Sequence, residues 1–322
     1  MRERVLPPAK SAVAALALSL MLMPLSGRTQ GAHSPAQAGA AQAASAAPAW
    51  PTQDALIQDA REALKKRDKS RLASLKAQAL KQQHPLAPWV DYWDIGLRLM
   101  ESSQSDLEAF YQRWSGSYVE DRLRNDWLLE LGHRRDWKNF AIDYPRFRMN
   151  DDREVICYWL LSQYQLGDRS KPSASEALAA WMAQKEGDEG CRVMAQTLHE
   201  ARVLSEEAVW RKLFSAIESG KPKAARQAAD LLSKPVEKAT DELLENSARY
   251  LDKRASAGSI SNARLTALAL ARRAQDNPED AAVRMNATWA SRLPPELKAW
   301  AWAQIGRQAG FKSLPELSLI HI

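Results

Sequence analysis

The stretch VEDRLRNDWLLEL, residues 119–131, decides the fold class. Acidic and basic residues separate most of its large apolar side chains, which recur every four residues: Val119, Leu123, Trp127 and Leu131. A four-residue period places side chains on one face of an α-helix, whereas a strand alternates every two residues. The stretch therefore predicts an amphipathic helix with one buried face.

The same helical period continues on both sides of this stretch. It recurs in residues 89–100 and 107–114 before it and in residues 297–305 after it, and no convincing alternating run appears. Alanine, leucine and long charged residues dominate the composition, and these residue types lose little side-chain freedom in a helix. We therefore predict an all-α protein, with helices filling residues 52–312.

Local signals mark where several helices begin and end. Ser105 and Ser173 are each followed three residues later by Glu, which is typical of a capping box. Asn277 before a proline is typical of an N-cap and first turn. The glycines expected near helix ends are Gly132, Gly167 and Gly220.

Short links between these helices determine how they pack. Neighbouring helices must run antiparallel, and helix pairs recur at about the 34-residue spacing of a tetratricopeptide array, although no consensus can be aligned. We therefore predict a right-handed α-superhelix of antiparallel helix pairs, a U-shaped solenoid like those arrays. A compact helical bundle is the alternative.

The first 50 residues have a different character. Three basic residues within the first ten precede a largely apolar run over residues 11–25, which is shorter than the ~20 residues of a membrane-spanning helix. This pattern predicts a signal peptide over residues 1–38, an Ala/Pro-rich linker over residues 39–50 and export to the periplasm.

Two cysteines, Cys157 and Cys191, follow the predicted signal peptide. An even number of cysteines in an exported protein favours a disulfide. Their spacing in sequence does not establish that they lie close together. The Cys157–Cys191 bridge is therefore a prediction for the structure to test.

The charge distribution argues against a nucleic-acid-binding protein. The formal net charge is +6, of which residues 1–50 supply +3, because they contain four basic residues and one acidic residue. The remaining net charge of +3 is distributed over residues 51–322 and forms no basic stripe. The short basic run of residues 65–67 lies between Glu62 and Asp68, as on a solvated helix face.

The sequence lacks the common signatures of enzyme sites. It contains no GxSxG, P-loop, HExxH or GxGxxG motif and no cysteine–histidine cluster with metal-ligand spacing. His84, His133 and His199 are isolated, and turn or partly buried positions explain them better than catalysis. We therefore predict no catalytic residue, no cofactor and no metal in this chain.

Charged residues crowd one predicted helix. Asp121, Arg122, Arg124 and Asp126 follow one another closely in the opening stretch. They offer groups for binding, but ion pairs within the helix and with neighbouring helices are the favoured interpretation.

Four segments, in order, resemble the N-terminal part of the soluble lytic murein transglycosylases. They are HPLAPWVDYW (residues 84–93), YVEDRLRNDWLL (118–129), YPRF (144–147) and PELKAWAW continuing to Gly-Arg (295–307). The resemblance implies a U-shaped helical superhelix that, in the family, joins a linker domain to form a ring. A lysozyme-like domain on that ring cleaves peptidoglycan between N-acetylmuramic acid and N-acetylglucosamine.

The family's chemistry requires one carboxyl group. A single glutamate acts as acid and then as base, and the 6-hydroxyl of the sugar attacks in place of water, giving a 1,6-anhydro product. In the family this glutamate precedes serine, with phenylalanine and a Gly-Leu-Met-Gln-like segment following. Glu101 and Glu218 precede serine here, but neither has the following features. The resemblance therefore implies that residues 51–316 are an incomplete transglycosylase without its catalytic domain.

The expected partner is the glycan strand of peptidoglycan, held by a monomer, and a periplasmic location is compatible with association with the outer membrane or cell wall. Residues 317–322, LSLIHI, break the helical pattern and resemble a translated sequencing adapter, so we expect a non-native tail. The alternative function is a stand-alone periplasmic helical-repeat scaffold that binds proteins.

Overall fold

The structure is a computed structural model that describes residues 50–312, with side chains from residue 54. Within this range it contains 16 α-helices and no strand, so the all-α prediction is confirmed. No helix in the described range is both long and apolar enough to cross a membrane. The predicted signal peptide (1–38), the linker (39–50) except Trp50, where the first helix begins, and the predicted tail (317–322) lie outside the described residues.

The helices follow one another with short connections. In chain order they are α1 (Trp50–Lys65), α2 (Lys69–Lys81), α3 (Ala87–Gly96), α4 (Gln104–Arg113), α5 (Tyr118–Arg134), α6 (Trp137–Asp143), α7 (Arg153–Gln165), α8 (Ala174–Ala183), α9 (Glu189–Glu200), α10 (Glu206–Glu218), α11 (Pro222–Ala229), α12 (Lys234–Glu245), α13 (Ser247–Lys253), α14 (Ile260–Asp276), α15 (Pro278–Arg284) and α16 (Pro295–Phe311). Two short 3-10 helices follow α3 and α6, and a π-helical turn follows α15.

The helix starts agree with the sequence signals at two of three positions. Ser173 forms the predicted capping box and Asn277 the predicted N-cap. The box predicted at Ser105 is wrong, because α4 begins two residues earlier. There Ser103 is the N-cap, and its backbone N–H donates to the carboxylate of Asp106 at 2.8 Å. An aspartate at the third helical position thus replaces the glutamate that we had paired with Ser105.

The three glycines expected near helix ends have two different roles. Gly167 and Gly220 follow α7 and α10 with φ values of 105° and 66°, which favour glycine. Gly132 instead lies inside α5, which ends at Arg134. A side chain at Gly132 would collide with the ring of Tyr158 on α7. Its role is therefore to permit the close approach of α5 and α7.

Between residues 54 and 312 the hydrophobic core consists of three successive sections along the chain. The first comes from residues 56–90, the second from residues 95–158 and the third from residues 157–305. Helix α7 belongs to two of them, since Tyr158 faces the second section and Cys157 the third. Most helices pack on helices one or two positions away in the chain. This arrangement is that of a superhelix rather than a compact bundle.

The predicted cysteine pair lies where the second and third core sections meet. Cys157 on α7 and Cys191 on α9 have their Cα atoms 4.9 Å apart, and the structure joins their sulfurs in a disulfide. Both side chains are buried. The geometry therefore allows the bridge proposed from the sequence.

A buried amine and a partly buried carboxyl lie beside this pair. The ammonium of Lys212 donates to the carbonyls of Trp181, at 2.5 Å, and Gln184 at the end of α8. Burial lowers the pKa of Lys212 to about 8. One carboxylate oxygen of Asp188 accepts the N–H of Cys191 at 2.7 Å, while the other is buried with no hydrogen-bond partner in the described structure. Burial raises the pKa of Asp188 to about 6.

Candidate functional site

The charged residues singled out on α5 form a buried ion-pair network. Arg124 is fully buried and donates to the carboxylates of Glu120, at 2.7 Å, and Asp143. Its guanidinium lies 3.9 Å from the centre of the Tyr111 ring. We call Arg124, Glu120, Asp143 and Tyr111 the Arg124 network. These groups are largely paired with one another, although Nε of Arg124 has no hydrogen-bond partner in the described structure, and their burial leaves little capacity to bind a ligand.

The other charged residues of this stretch are also engaged. Asp121 accepts the backbone N–H of Arg148 at 2.9 Å and of Met149 at 2.7 Å. Asp126 accepts the hydroxyl of Tyr92 at 2.5 Å and pairs with Arg122 at 3.6 Å. The interpretation of this charged stretch as ion pairs is therefore confirmed.

Glu101 occupies a site unlike that of a general acid. Its carboxylate is 2.6 Å from the ammonium of Lys69, and 68% of its side chain is exposed. The hydrogen bond from Lys69 lowers the pKa of Glu101. A general acid needs the opposite shift, which an apolar site provides.

The three isolated histidines take part in local structure. The ring of buried His84 accepts the N–H of Leu86 at 3.0 Å in a turn. A ring nitrogen of His199 lies 2.9 Å from the carbonyl of Leu204. His133 packs edge-on against Tyr158, with ring centres 5.9 Å apart. Among the described residues no group of acidic, histidine and cysteine side chains is arranged to hold a metal ion.

The other Glu-Ser glutamate, Glu218, lines an open cleft of about 480 Å³ between α10, α14 and α16. This volume lies within the roughly 300–1,000 Å³ of ligand-binding clefts. Pro294 and Leu297 contribute to its wall at the start of α16, and Met182 reaches it from α8. We call this feature the α10–α16 cleft.

Aromatic rings form the apolar side of the cleft. Phe214 on α10 and Trp300 on α16 meet edge to face, with ring centres 4.6 Å apart. Both are half-buried, whereas Trp210, which also lines the cleft, is buried in the core. The guanidinium of Arg264, from α14, lies 5.1 Å from the centre of the Trp210 ring. Three helices thus fix the position of these rings.

Polar side chains form the other side of the cleft. Four polar residues of α10 line it at intervals of four, four and three, which places them on one helix face: Glu207, Arg211, Ser215 and Glu218. Glu207 pairs with Arg264 at 2.6 Å, and Glu218 pairs with Arg307 at 3.1 Å. These contacts tie α10 to α14 and α16.

Local sequence explains how the two main helices are positioned. Ser205 caps α10, and its hydroxyl accepts the N–H of Ala208 at 3.2 Å. Pro295 occupies the first turn of α16, where its missing N–H costs no hydrogen bond. Trp300 then follows in the second turn. The sequence places Leu297 and Trp300 in an apolar helical run and gives no reason to bring Glu218 to them, so the cleft is not predicted from it.

The arrangement of the cleft favours binding over bond cleavage. Glu207 and Glu218 each contact an arginine and Glu296 is exposed, whereas a general acid needs an apolar setting. Carboxylates and guanidinium groups beside aromatic rings do provide acceptors, donors and flat apolar surfaces together. The cleft can therefore hold a ligand that has both polar edges and an apolar face.

Solved structures share this fold. An inactive mutant of the lytic transglycosylase Slt from Pseudomonas aeruginosa matches with a TM-score of 0.54 and 22% identity, over 82% of this chain and 43% of that one. The 70 kDa soluble lytic transglycosylase of Escherichia coli matches with a TM-score of 0.55 and 15% identity, over 84% and 44% of the two chains. A 70-kDa soluble lytic transglycosylase in complex with bulgecin A matches with a TM-score of 0.54, 15% identity and the same coverage.

The chain has the fold of the soluble lytic transglycosylases. The superhelix predicted from the sequence is therefore confirmed. The chain spans less than half the length of these enzymes. A scan of protein-family profiles and a sequence search of curated proteins found no match.

Proposed function

We propose that residues 51–316 are the superhelical part of a periplasmic lytic transglycosylase that acts on peptidoglycan. The observation that carries the proposal is the shared fold over more than four-fifths of the chain, combined with four sequence segments that resemble this family in order. The full-length protein would cleave the bond between N-acetylmuramic acid and N-acetylglucosamine and form a 1,6-anhydro sugar.

In this proposal the described helices position the glycan strand and do not cleave it. The two glutamates that precede serine support this division of labour, since Glu101 is paired with Lys69 and Glu218 with Arg307. Neither sits in the apolar environment that keeps a catalytic carboxyl protonated. A lysozyme-like domain of the family's type would supply the catalytic glutamate.

The proposal also covers export. We assign residues 1–38 to a signal peptide and residues 39–50 to a linker, and we propose that the Cys157–Cys191 bridge forms in the oxidising periplasm. Residues 317–322 are assigned to a non-native tail. A precursor that becomes shorter on export would support the signal peptide. Cysteines that react with thiol-modifying reagents only after reduction would support the bridge.

A zymogram on purified peptidoglycan tests the division of labour. The chain alone is expected to leave the gel opaque, while the same chain extended by the sequence that follows codon 316 in its gene is expected to clear it. Clearing by the chain alone would contradict the proposal. An extended chain that carries no lysozyme-like sequence and fails to clear the gel would favour the protein-binding scaffold.

A further inference from the structure

We propose that the α10–α16 cleft binds a neutral pyranose ring of the glycan strand, of the N-acetylglucosamine type. The inference rests on the proposed function and assigns it a place in the structure. Trp300 and Phe214 would contact the apolar face of the sugar, and the polar face of α10 would contact its hydroxyl groups.

The aromatic geometry suits a sugar ring. The C–H groups of a pyranose project from its faces and carry a partial positive charge, while the face of an aromatic ring is negative. Phe214 and Trp300 meet at 73°, so they form two walls of a corner rather than one flat surface. A corner of this kind contacts one face and one edge of a ring. The half-buried rings are also fixed by the core behind them, which reduces the entropy lost on binding.

The polar groups suit the edge of the same ring. A hydroxyl group both donates and accepts hydrogen bonds, and it needs partners of both kinds when water is displaced. Glu207 and Glu218 are acceptors, and Arg211, exposed on the same face of α10, is a donor. Glu207 and Arg211 lie one helical turn apart, about 5–6 Å, and can meet neighbouring hydroxyl groups of one ring, whereas Glu218 lies two turns further along α10.

The charge of the cleft distinguishes the glycan from other polymers. Three glutamates and two arginines line it, and Arg307 pairs with Glu218 at its edge, so the charges balance. A nucleic acid, or a peptide with more carboxylates than amines, finds no excess of positive charge at this position. A neutral N-acetylated sugar is not repelled and uses both kinds of charged group as hydrogen-bond partners.

Binding of chitohexaose, a neutral peptide-free oligomer of N-acetylglucosamine, tests the inference. Calorimetric titration of the full chain is expected to give saturable binding. Trp300→Leu should weaken it about tenfold, since it removes an aromatic face while keeping apolar packing. The matched control is Trp302→Leu, a half-buried tryptophan of the same helix that does not line the cleft, which should change the affinity by less than about twofold.

A second pair of variants keeps the test decisive if a tryptophan variant is unstable. Arg211→Ala removes an exposed side chain and should weaken binding about fivefold, whereas Arg61→Ala, an exposed arginine on α1, should have no effect. Equal weakening by the cleft variants and their controls would overturn the inference. So would displacement of the oligosaccharide by the free peptide stem of peptidoglycan.

Co-sedimentation with purified peptidoglycan sacculi distinguishes a failure of the cleft assignment from a failure of the proposed function. If the wild-type chain sediments with sacculi but does not bind chitohexaose, or if Trp300→Leu sediments as well as Trp302→Leu, the cleft assignment is wrong and the proposed function stands. If the wild-type chain does not sediment with sacculi, the proposed function fails as well. Sedimentation that is lost in both cleft variants and kept in both controls supports the inference.

Discussion

The Arg124 network and the α10–α16 cleft use the same kinds of side chain, but they differ in access to solvent. Both combine glutamate, arginine and aromatic rings held by several helices. The side chains of Arg124 and Asp143 are 0% exposed, whereas that of Glu207 in the cleft is 59% exposed. Residue type alone therefore does not separate a structural cluster from a binding surface. Burial decides which of the two a charged and aromatic cluster becomes.

The energetic consequence differs in the same way. A buried ion pair has lost its hydration, so removing one partner leaves the other charge without compensation. An exposed pair keeps much of its hydration and contributes little to stability. Removing one partner of the Arg124 network should therefore cost more folding stability than removing one partner in the cleft, and changes in the cleft should act mainly on ligand binding.

The largest effect is expected from Arg124→Met. The substitution leaves the fully buried carboxylate of Asp143 with only its longer ion-pair contact to Arg146, at 3.6 Å, and should lower the free energy of unfolding by about 3–5 kcal/mol. Urea denaturation followed by circular dichroism measures the loss. Arg122→Met, on the same helix, removes a pair at 3.6 Å whose arginine is 45% exposed and should cost less than about 1 kcal/mol. Similar losses in the two variants would contradict the comparison.

The disulfide where the second and third core sections meet should have the next largest effect on stability. Replacing Cys157 and Cys191 by alanine should lower the free energy of unfolding by about 2–4 kcal/mol, because the open chain gains conformational freedom when unfolded. Thermal melting with and without reductant measures the effect, and the double variant should be insensitive to reductant. An unchanged melting temperature of the wild-type chain in reductant would argue against the bridge.

A smaller effect should appear in the pH dependence of stability. Asp188 has its folded-state pKa raised from 3.8 to about 6, so the folded form holds its proton to higher pH than the unfolded form. The stability from this group is present at low pH and is lost as the pH rises through about 6. The loss is on the order of 1 kcal/mol, since solvent screens a carboxyl that is not fully buried. Lys212, with a pKa of about 8, keeps its charge throughout this window.

Asp188→Asn isolates this contribution. Glu154 also lies near the carboxyl, and its charge raises the pKa of Asp188 as well, so the comparison must be made between otherwise identical chains. The difference in unfolding free energy between wild type and variant should change between about pH 4 and pH 6. Parallel pH profiles would contradict the raised pKa.

The smallest effect on stability is expected in the cleft. Arg211→Ala should change the free energy of unfolding by no more than about 0.5 kcal/mol, because the side chain is exposed at the surface of α10. Urea denaturation beside Arg61→Ala provides the reference for an exposed arginine. A loss comparable to that of Arg124→Met would mean that the cleft is a structural cluster after all.

The fold could be predicted because its signals are local. A four-residue apolar period and a capping residue depend on neighbours within two turns, so the stretch around Trp127 and the cap at Ser173 could be read directly. The error at Ser105 shows the limit of this reading. Two serines lie two residues apart there, each with an acid three residues later, and the sequence did not distinguish them.

The cleft could not be predicted because its parts are far apart in the chain. The spacing of Glu207, Arg211 and Glu218 is visible on α10, but it is also the spacing of an ordinary solvated helix face. Glu207 meets Arg264 across 57 residues, and Glu218 meets Arg307 across 89. The Arg124 network could be predicted in part. Ion pairing was expected on α5, but the sequence did not show that Asp143 of α6 would be the partner of Arg124.

The most direct test of the account is incubation of purified peptidoglycan sacculi with the chain, followed by centrifugation and analysis of both fractions. The account predicts that the chain is recovered with the sacculi and that no 1,6-anhydro muropeptide appears in the supernatant. A chain that stays in the supernatant, or one that releases anhydro products by itself, would contradict the claim that these helices hold the glycan and leave its cleavage to another domain.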